Sequence, residues 1–141
     1  MQQMSSLEAV QSFVQKLNRH DIDELYDAIS SDHVFVDSLG FRVSGRDQMR
    51  SVWVEAFKMM PNYRINPQEI MVHGDTVAVF GTVSGQFAVG QVTLKDENWE
   101  VPGAWKGRVR NGLIEEWHLY SDNEPIRRVM RLLGIKGTTS P

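Results

Sequence analysis

Cysteine is absent from the sequence, and the formal charge of its 141 residues is only −3, from 15 basic and 18 acidic side chains. The lack of cysteine excludes disulfide bonds, thiolate metal ligands and a cysteine nucleophile. Without an excess of cations, the chain has little attraction for a phosphate backbone or an anionic membrane. We therefore expect neither nucleic acid nor membrane as a partner.

Long apolar runs are also missing, because no stretch approaches the roughly 18 residues that cross a bilayer. The first ten residues lack the basic and apolar regions of a secretion signal, so we expect a cytoplasmic protein. The hydrophobic fraction of 41% and the charged fraction of 23% are typical of a globular protein. The length suits one domain over 1–141, with a loose tail from about residue 134.

Helical periodicity is present in the first half of the chain. Apolar residues recur at spacings of three and four between Ser6 and Ile29, which predicts two helices, capped by Ser5 or Ser6 and by Asp21. The same spacing predicts a third helix over Arg46 to Met60, which Pro61 ends. A short fourth helix is expected near the C-terminus, over 123–133.

The rest of the chain has the composition of strands and tight turns. Gly74-Asp75 and Asn111-Gly112 predict two antiparallel hairpins. The strands are expected over 33–37, 63–73, 76–87, 99–110 and 113–121. This order favours an α+β fold in which helices cover the concave face of a bent sheet and enclose a pocket.

Several of these segments resemble a known superfamily. His33 to Asp37 ahead of Ser44-Gly45-Arg46, and Arg108 to Ile114 leading into Trp117 to Asp122, are similar to the nuclear-transport-factor-2-like (NTF2-like) superfamily. Within it the chain resembles the SnoaL-like polyketide-cyclase and ketosteroid-isomerase-like branch, from Leu7 to about residue 133. The resemblance implies a single-domain, cone-shaped roll: a strongly bent, mainly antiparallel sheet, three helices from the N-terminal half over its concave face, and a short C-terminal helix.

The resemblance also implies which catalytic positions are kept. Asp37 matches the proton-shuttling aspartate of ketosteroid isomerase, whereas the two donors of its oxyanion hole fall on Phe13 and Trp105. Removing even one such donor costs about 3 kcal/mol of transition-state stabilisation, so true ketosteroid isomerase activity is not expected. The Asp–Arg–Asp catalytic set of the related epoxide hydrolases is missing as well, since the matching positions of this sequence hold Gly81, Val83 and Leu119.

Asp37 is the first candidate for catalysis. On a strand it would share one face with His33 and Phe35, where a carboxylate beside aromatic rings can act as a general base. The alternative is a strand-end aspartate that only caps the following loop. Both interpretations remain open from the sequence.

The last strand offers a second candidate set. His118, Tyr120 and Asp122 alternate and so share a face, opposite to Trp117 and Leu119. By resemblance the Trp117 face lines the pocket, and the His118 face forms the outer side of the sheet, where a homodimer is expected. If the parity is reversed, His118 and Asp122 become the catalytic residues with Tyr120 as a donor.

The expected partner is a hydrophobic small molecule. Its predicted ligand-binding residues are mainly aromatic: Phe13, Phe35, Trp53, Phe57, Tyr63, Trp105, Trp117 and Leu119. The four histidines lack metal-ligand spacing, so neither a metal nor a cofactor is expected. The sequence therefore predicts an isomerase or cyclase with Asp37 as general base, or alternatively a non-catalytic binding or dimeric interaction module.

Overall fold

A six-stranded curled sheet forms the framework of the protein, and the computed structural model describes residues 3–89 and 92–132 of it. The elements in chain order are α1 (Ser6–Arg19), α2 (Ile22–Ala28), β1 (Ile29–Val36), β2 (Arg42–Ser44), α3 (Arg46–Met59), β3 (Arg64–His73), β4 (Thr76–Val89), β5 (Val92–Arg110), β6 (Leu113–Ser121) and α4 (Glu124–Leu132). This order confirms the predicted α+β architecture. The tail predicted from residue 134 lies outside the described residues.

Helix α1 begins where its capping residues predict. The Glu8 amide donates to the Ser5 hydroxyl and the Ser5 amide to the Glu8 carboxylate, both at 3.1 Å, which completes a capping box. The amide of Asn18 fixes the other end of α1 to β3, donating to the carbonyl of Ile65 and accepting from its N–H, each at 2.8 Å. The apolar face of α1 is thereby held against the sheet.

The strand order is β2-β1-β6-β5-β4-β3, and all neighbours are antiparallel except β1 and β6. The parallel pairing sets Phe35 beside Trp117 and Val36 beside His118. Both turn residues at Asn111 and Gly112 have positive φ, 54° and 75°, as a two-residue hairpin turn requires. Strand β2 was not anticipated, since three residues are too few to show alternation.

The hydrophobic core lies between the helices and the inner face of the sheet. The side chains that fill it come from α1, α3 and the long strands, and include Val10, Phe13, Trp53, Val79, Val83 and Trp105. None of the described helices has both the length and the apolar character to cross a membrane.

Candidate functional site

A cavity of about 290 Å³ lies between the helices and the sheet. It is bounded by α1 and α3 on one side and by β1 and β6 on the other. Its walls are mainly apolar, and six of the lining residues are aromatic: Phe13, Phe35, Trp53, Phe57, Tyr63 and Trp117. Such a cavity can enclose a hydrophobic molecule of two or three fused rings.

Seven of the eight predicted ligand-binding residues line the cavity, namely the six aromatic ones and Leu119. The exception is Trp105, which is 2% exposed and does not line it. Its ring lies over Gly103, where an added Cβ would come within 2.8 Å of the indole Cη2. The prediction for Trp105 needs correction, because its indole packs along β5 as part of the core.

His20 holds one wall of the cavity in place. Its ring stacks on Phe57 with centroids 4.0 Å apart, and its Nε2 lies 2.8 Å from the carbonyl oxygen of Tyr63, to which it donates. His20 ends α1 with a left-handed backbone, φ 55°, which turns its ring toward these two residues. The Phe57 ring and the backbone of Tyr63 are thus both in contact with one helix cap.

Asp37 lines the cavity and also caps the loop that follows β1. Its Oδ1 accepts the backbone N–H groups of Leu39 and Phe41, both at 2.9 Å. Its Oδ2 has no hydrogen-bond partner in the part of the chain that the structure describes. The two interpretations of Asp37 are therefore compatible, since one oxygen caps the loop while the other is left for a ligand.

Side chains of β6 alternate between the cavity and the outer face of the sheet. Trp117 and Leu119 line the cavity, whereas Tyr120 is 50% exposed and its ring stacks on His118 at 4.0 Å. Asp122 is exposed and accepts the N–H of Glu124 at the start of α4. The reversed orientation on which the alternative catalytic set of His118, Tyr120 and Asp122 depends is therefore not observed, since none of these residues lines the cavity.

His33 is a polar group of the cavity wall to which the sequence assigned no role. The residue is fully buried, and its Nδ1 lies 2.8 Å from the carbonyl oxygen of Ile114. Its Nε2 has no partner among the described residues. Burial lowers the pKa of His33, so the ring is neutral near pH 7. The alternation of 33, 35 and 37 was the one signal that could have pointed to it.

The remaining polar groups of the cavity lie at Tyr63 and near α4. Burial raises the pKa of the Tyr63 hydroxyl well above its usual value, so this group is a neutral donor. The Ser38 hydroxyl donates to the Asn123 side chain, which joins the loop after β1 to the start of α4. Arg127 also lines the cavity and forms no ion pair within 3–89 and 92–132. No three His, Asp or Glu side chains in these ranges converge as a metal site.

Solved structures with the same fold come from several bacteria. A protein from Catenulispora acidiphila with a ketosteroid isomerase-like fold, in complex with trimethylamine, is 19% identical; the match covers 97% of this chain and 100% of that one, with a TM-score of 0.74. TerC, co-crystallised with polyporic acid, is 18% identical over 89% and 98% of the two chains, with a TM-score of 0.73. At these identities the similarity is one of fold.

A third structure, provisionally named a SnoaL-like polyketide cyclase and coming from Shewanella denitrificans, is 12% identical over 90% and 97% of the chains, with a TM-score of 0.77. No curated relative matches the sequence. The family model for the SnoaL-like domain matches residues 10–117, from the buried face of α1 to the cavity-lining Trp117. The chain is thus a member of the SnoaL-like domain family, within the NTF2-like superfamily.

Proposed function

We propose that this protein binds a hydrophobic small molecule in the cavity and that Asp37 removes a proton from it, in an isomerisation or a cyclisation. The observation that carries the proposal is a carboxylate with an unpartnered oxygen on the wall of a mainly apolar cavity. The solved structures with trimethylamine and with polyporic acid support binding of a small molecule by this fold.

The proposed chemistry starts with a C–H bond next to a carbonyl group of the ligand. Asp37 Oδ2 takes this proton, and the electron pair of the C–H bond moves into an enolate. Tyr63 also lines the cavity, and its neutral hydroxyl is a donor that can stabilise the developing negative oxygen. Return of the proton to another carbon completes an isomerisation. In a cyclisation the enolate carbon attacks a second carbonyl and forms the ring, and the proton on Asp37 passes to the resulting alkoxide oxygen.

The second candidate is a binding protein without catalysis. It is favoured by the two backbone N–H groups that Asp37 Oδ1 accepts, because they give this carboxylate a structural role that needs no substrate. Native mass spectrometry of the purified protein would identify a retained ligand. A retained compound that is released unchanged after incubation would favour the binding protein.

Filling the cavity is expected to abolish binding of an apolar probe. Ala56 lines the cavity from α3, so Ala56→Phe places a ring in the space that a ligand needs. We expect the affinity for naphthalene, followed by quenching of tryptophan fluorescence, to fall by about tenfold or more, which is at least 1.4 kcal/mol. Ser51→Phe, on the exposed face of the same helix, is the control and should bind as the wild type does. Equal affinities in all three proteins would exclude this cavity as the binding site.

The outer face of the sheet supports the expected homodimer. Phe80, Ala104 and Tyr120 lie side by side on β4, β5 and β6, and Phe80 and Tyr120 are 40% and 50% exposed. Met71, on β3, adds a further exposed side chain to this face. A twofold axis would bring the same apolar row of two copies together.

The cytoplasmic location stays a prediction that fractionation of the source cells would test.

Charge placed in this row is expected to dissociate the dimer. Phe80→Asp should raise the dimer dissociation constant by about tenfold or more, since a buried charge would face its own copy across the interface. Sedimentation equilibrium measures the change. Met59→Asp removes an equally exposed apolar side chain from α3 and serves as the control. A wild-type protein that is monomeric at all concentrations, or a Phe80→Asp variant as dimeric as the wild type, would contradict the proposal.

A further inference from the structure

We infer that Arg127 and Asn123, on the side of α4 that lines the cavity, bind a carboxylate group of the ligand, so that the ligand is an amphipathic anion with an apolar body. The inference rests on the proposed binding in the cavity and names the group that is recognised at the edge of the cavity. It assigns a role to a cation that neither the core nor the proton-transfer step uses.

One face of α4 is turned toward the cavity. Asn123, directly before the helix, and Ile126 and Arg127 within it all line the cavity. The N–H of Arg127 donates to the carbonyl oxygen of Asn123 at 2.9 Å, and residues three and four apart lie on the same side of a helix. Arg128 and Arg131 do not line the cavity. Helix α4 therefore directs one of its three arginines toward a bound molecule.

The positive charge of Arg127 has no partner within 3–89 and 92–132. The two carboxylates at the start of α4 are engaged elsewhere, since Asp122 accepts the N–H of Glu124 and Glu124 pairs with Arg131. Asp37 lines the same cavity, but in the described part of the chain it forms no ion pair with Arg127. Arg127 is exposed, so an entering molecule can reach it. Its planar group of N–H donors matches the two oxygens of a carboxylate.

Asn123 supplies a second donor on this face. The Ser38 hydroxyl donates to the side-chain oxygen of Asn123, so the amide NH₂ group keeps both of its protons for another acceptor. No residue that the structure describes accepts from this NH₂ group. Residues four apart on a helix have Cβ atoms about 5–6 Å from each other. A single carboxylate can therefore accept from Asn123 and Arg127 together.

The place of the two donors beside an apolar cavity defines the two ends of the ligand. The apolar body contacts the aromatic walls, while the carboxylate stays at the edge, where water still reaches it and its desolvation costs little. The negative charge of Asp37 repels a second carboxylate. The anionic end therefore lies at α4, and the end with the reacting C–H bond lies at Asp37.

Two probes of nearly the same shape test the inference: 2-naphthoate, an anion at neutral pH, and its uncharged analogue 2-naphthamide. We expect the wild type to bind 2-naphthoate about fivefold more tightly at low ionic strength, measured by isothermal titration calorimetry, and to lose most of this preference in about 1 M sodium chloride. Arg127→Gln should abolish the preference and leave the affinity for 2-naphthamide unchanged. Arg128→Gln removes the same charge at a position that does not line the cavity, and it should keep the preference.

A second variant tests the other donor. Asn123→Asp keeps an oxygen for the Ser38 hydroxyl but places a carboxylate one helical turn from Arg127. It should weaken binding of 2-naphthoate at least as much as Arg127→Gln does, because the new charge repels the probe and neutralises the arginine. The affinity for 2-naphthamide should change little.

The outcomes separate this inference from the proposed binding. Equal affinity of the wild type for both probes, or a preference that persists in Arg127→Gln, would overturn the carboxylate site while leaving the cavity as a binding site. Loss of the preference in Arg128→Gln would attribute it to the overall charge of α4 and would also overturn the inference. If neither probe binds the wild type, the proposed function fails and the inference fails with it. If Arg127→Gln binds neither probe, Asn123→Asp decides, and an undiminished preference in that variant overturns the inference.

Discussion

Asp37→Asn is expected to slow proton abstraction by a factor on the order of 10² to 10⁴, the usual contribution of a general base. Asn keeps an oxygen that accepts the N–H groups of Leu39 and Phe41, but its amide replaces the free Oδ2 and cannot take a proton. The probe is 2-tetralone, a two-ring ketone with acidic C–H bonds. Its exchange of hydrogen for deuterium in D₂O, followed by proton NMR, measures the rate above that of buffer.

Asp37→Ala separates the base from the loop cap. It removes both backbone hydrogen bonds, so the free energy of unfolding should fall by about 1–3 kcal/mol, whereas Asp37→Asn should unfold close to the wild type. Undiminished exchange in Asp37→Asn would disprove the role of Asp37 as base. A wild type that does not accelerate the exchange would favour the binding protein without catalysis.

Gly81→Ala is expected to lower the free energy of unfolding by about 3 kcal/mol, at the upper end of the range for overpacking. Gly81 pairs with Pro67 where the register between β3 and β4 shifts. A Cβ at this position would lie 2.0 Å from the carbonyl oxygen of Asn66 and 3.0 Å from the Cα of Pro67. Because these are backbone atoms, the two strands would have to separate. The midpoint of urea unfolding measures the loss.

Thr82→Ala, at the next position of β4, is the matched control. It removes side-chain atoms from a half-buried position and should change the free energy of unfolding by less than about 1 kcal/mol. A Gly81→Ala variant as stable as the wild type would mean that β3 and β4 do not approach as closely as described. A smaller urea m-value in the variant would indicate a change in compactness instead.

Most of the fold could be predicted from local patterns. The spacing of apolar residues and the serine cap predicted the start of α1, because both depend on neighbours within one or two helical turns. The Asn111-Gly112 turn predicted the hairpin of β5 and β6 in the same way, although the pairing shifts by one residue between Arg108 and Val109. Strand β2 was missed, since its three residues pair with β1 through contacts across a loop.

The candidate site was predictable only in part. The resemblance to the SnoaL-like branch pointed to Asp37 and to an aromatic pocket, and strand alternation gave the two possible faces of β6. Trp105 was assigned to the pocket because it is aromatic and matches an oxyanion-hole position of the resemblance, but its ring lies over Gly103 within the core. Whether an oxygen of Asp37 is free likewise depends on the conformation of the loop after β1, whose N–H groups bind only Oδ1.

Local sequence was enough to assign helices, turns and strand faces, because these follow from periodicity and from backbone preferences of a few residues. The parity of β6 and the environment of His33 were settled by packing between elements far apart in the chain. His33 obtains its tautomer from Ile114, 81 residues later, and its neutral state from complete burial. A hydrogen bond between residues so far apart in the chain leaves no pattern in the sequence, and neither does the burial of His33. The environment of His33 is therefore visible only in the folded chain.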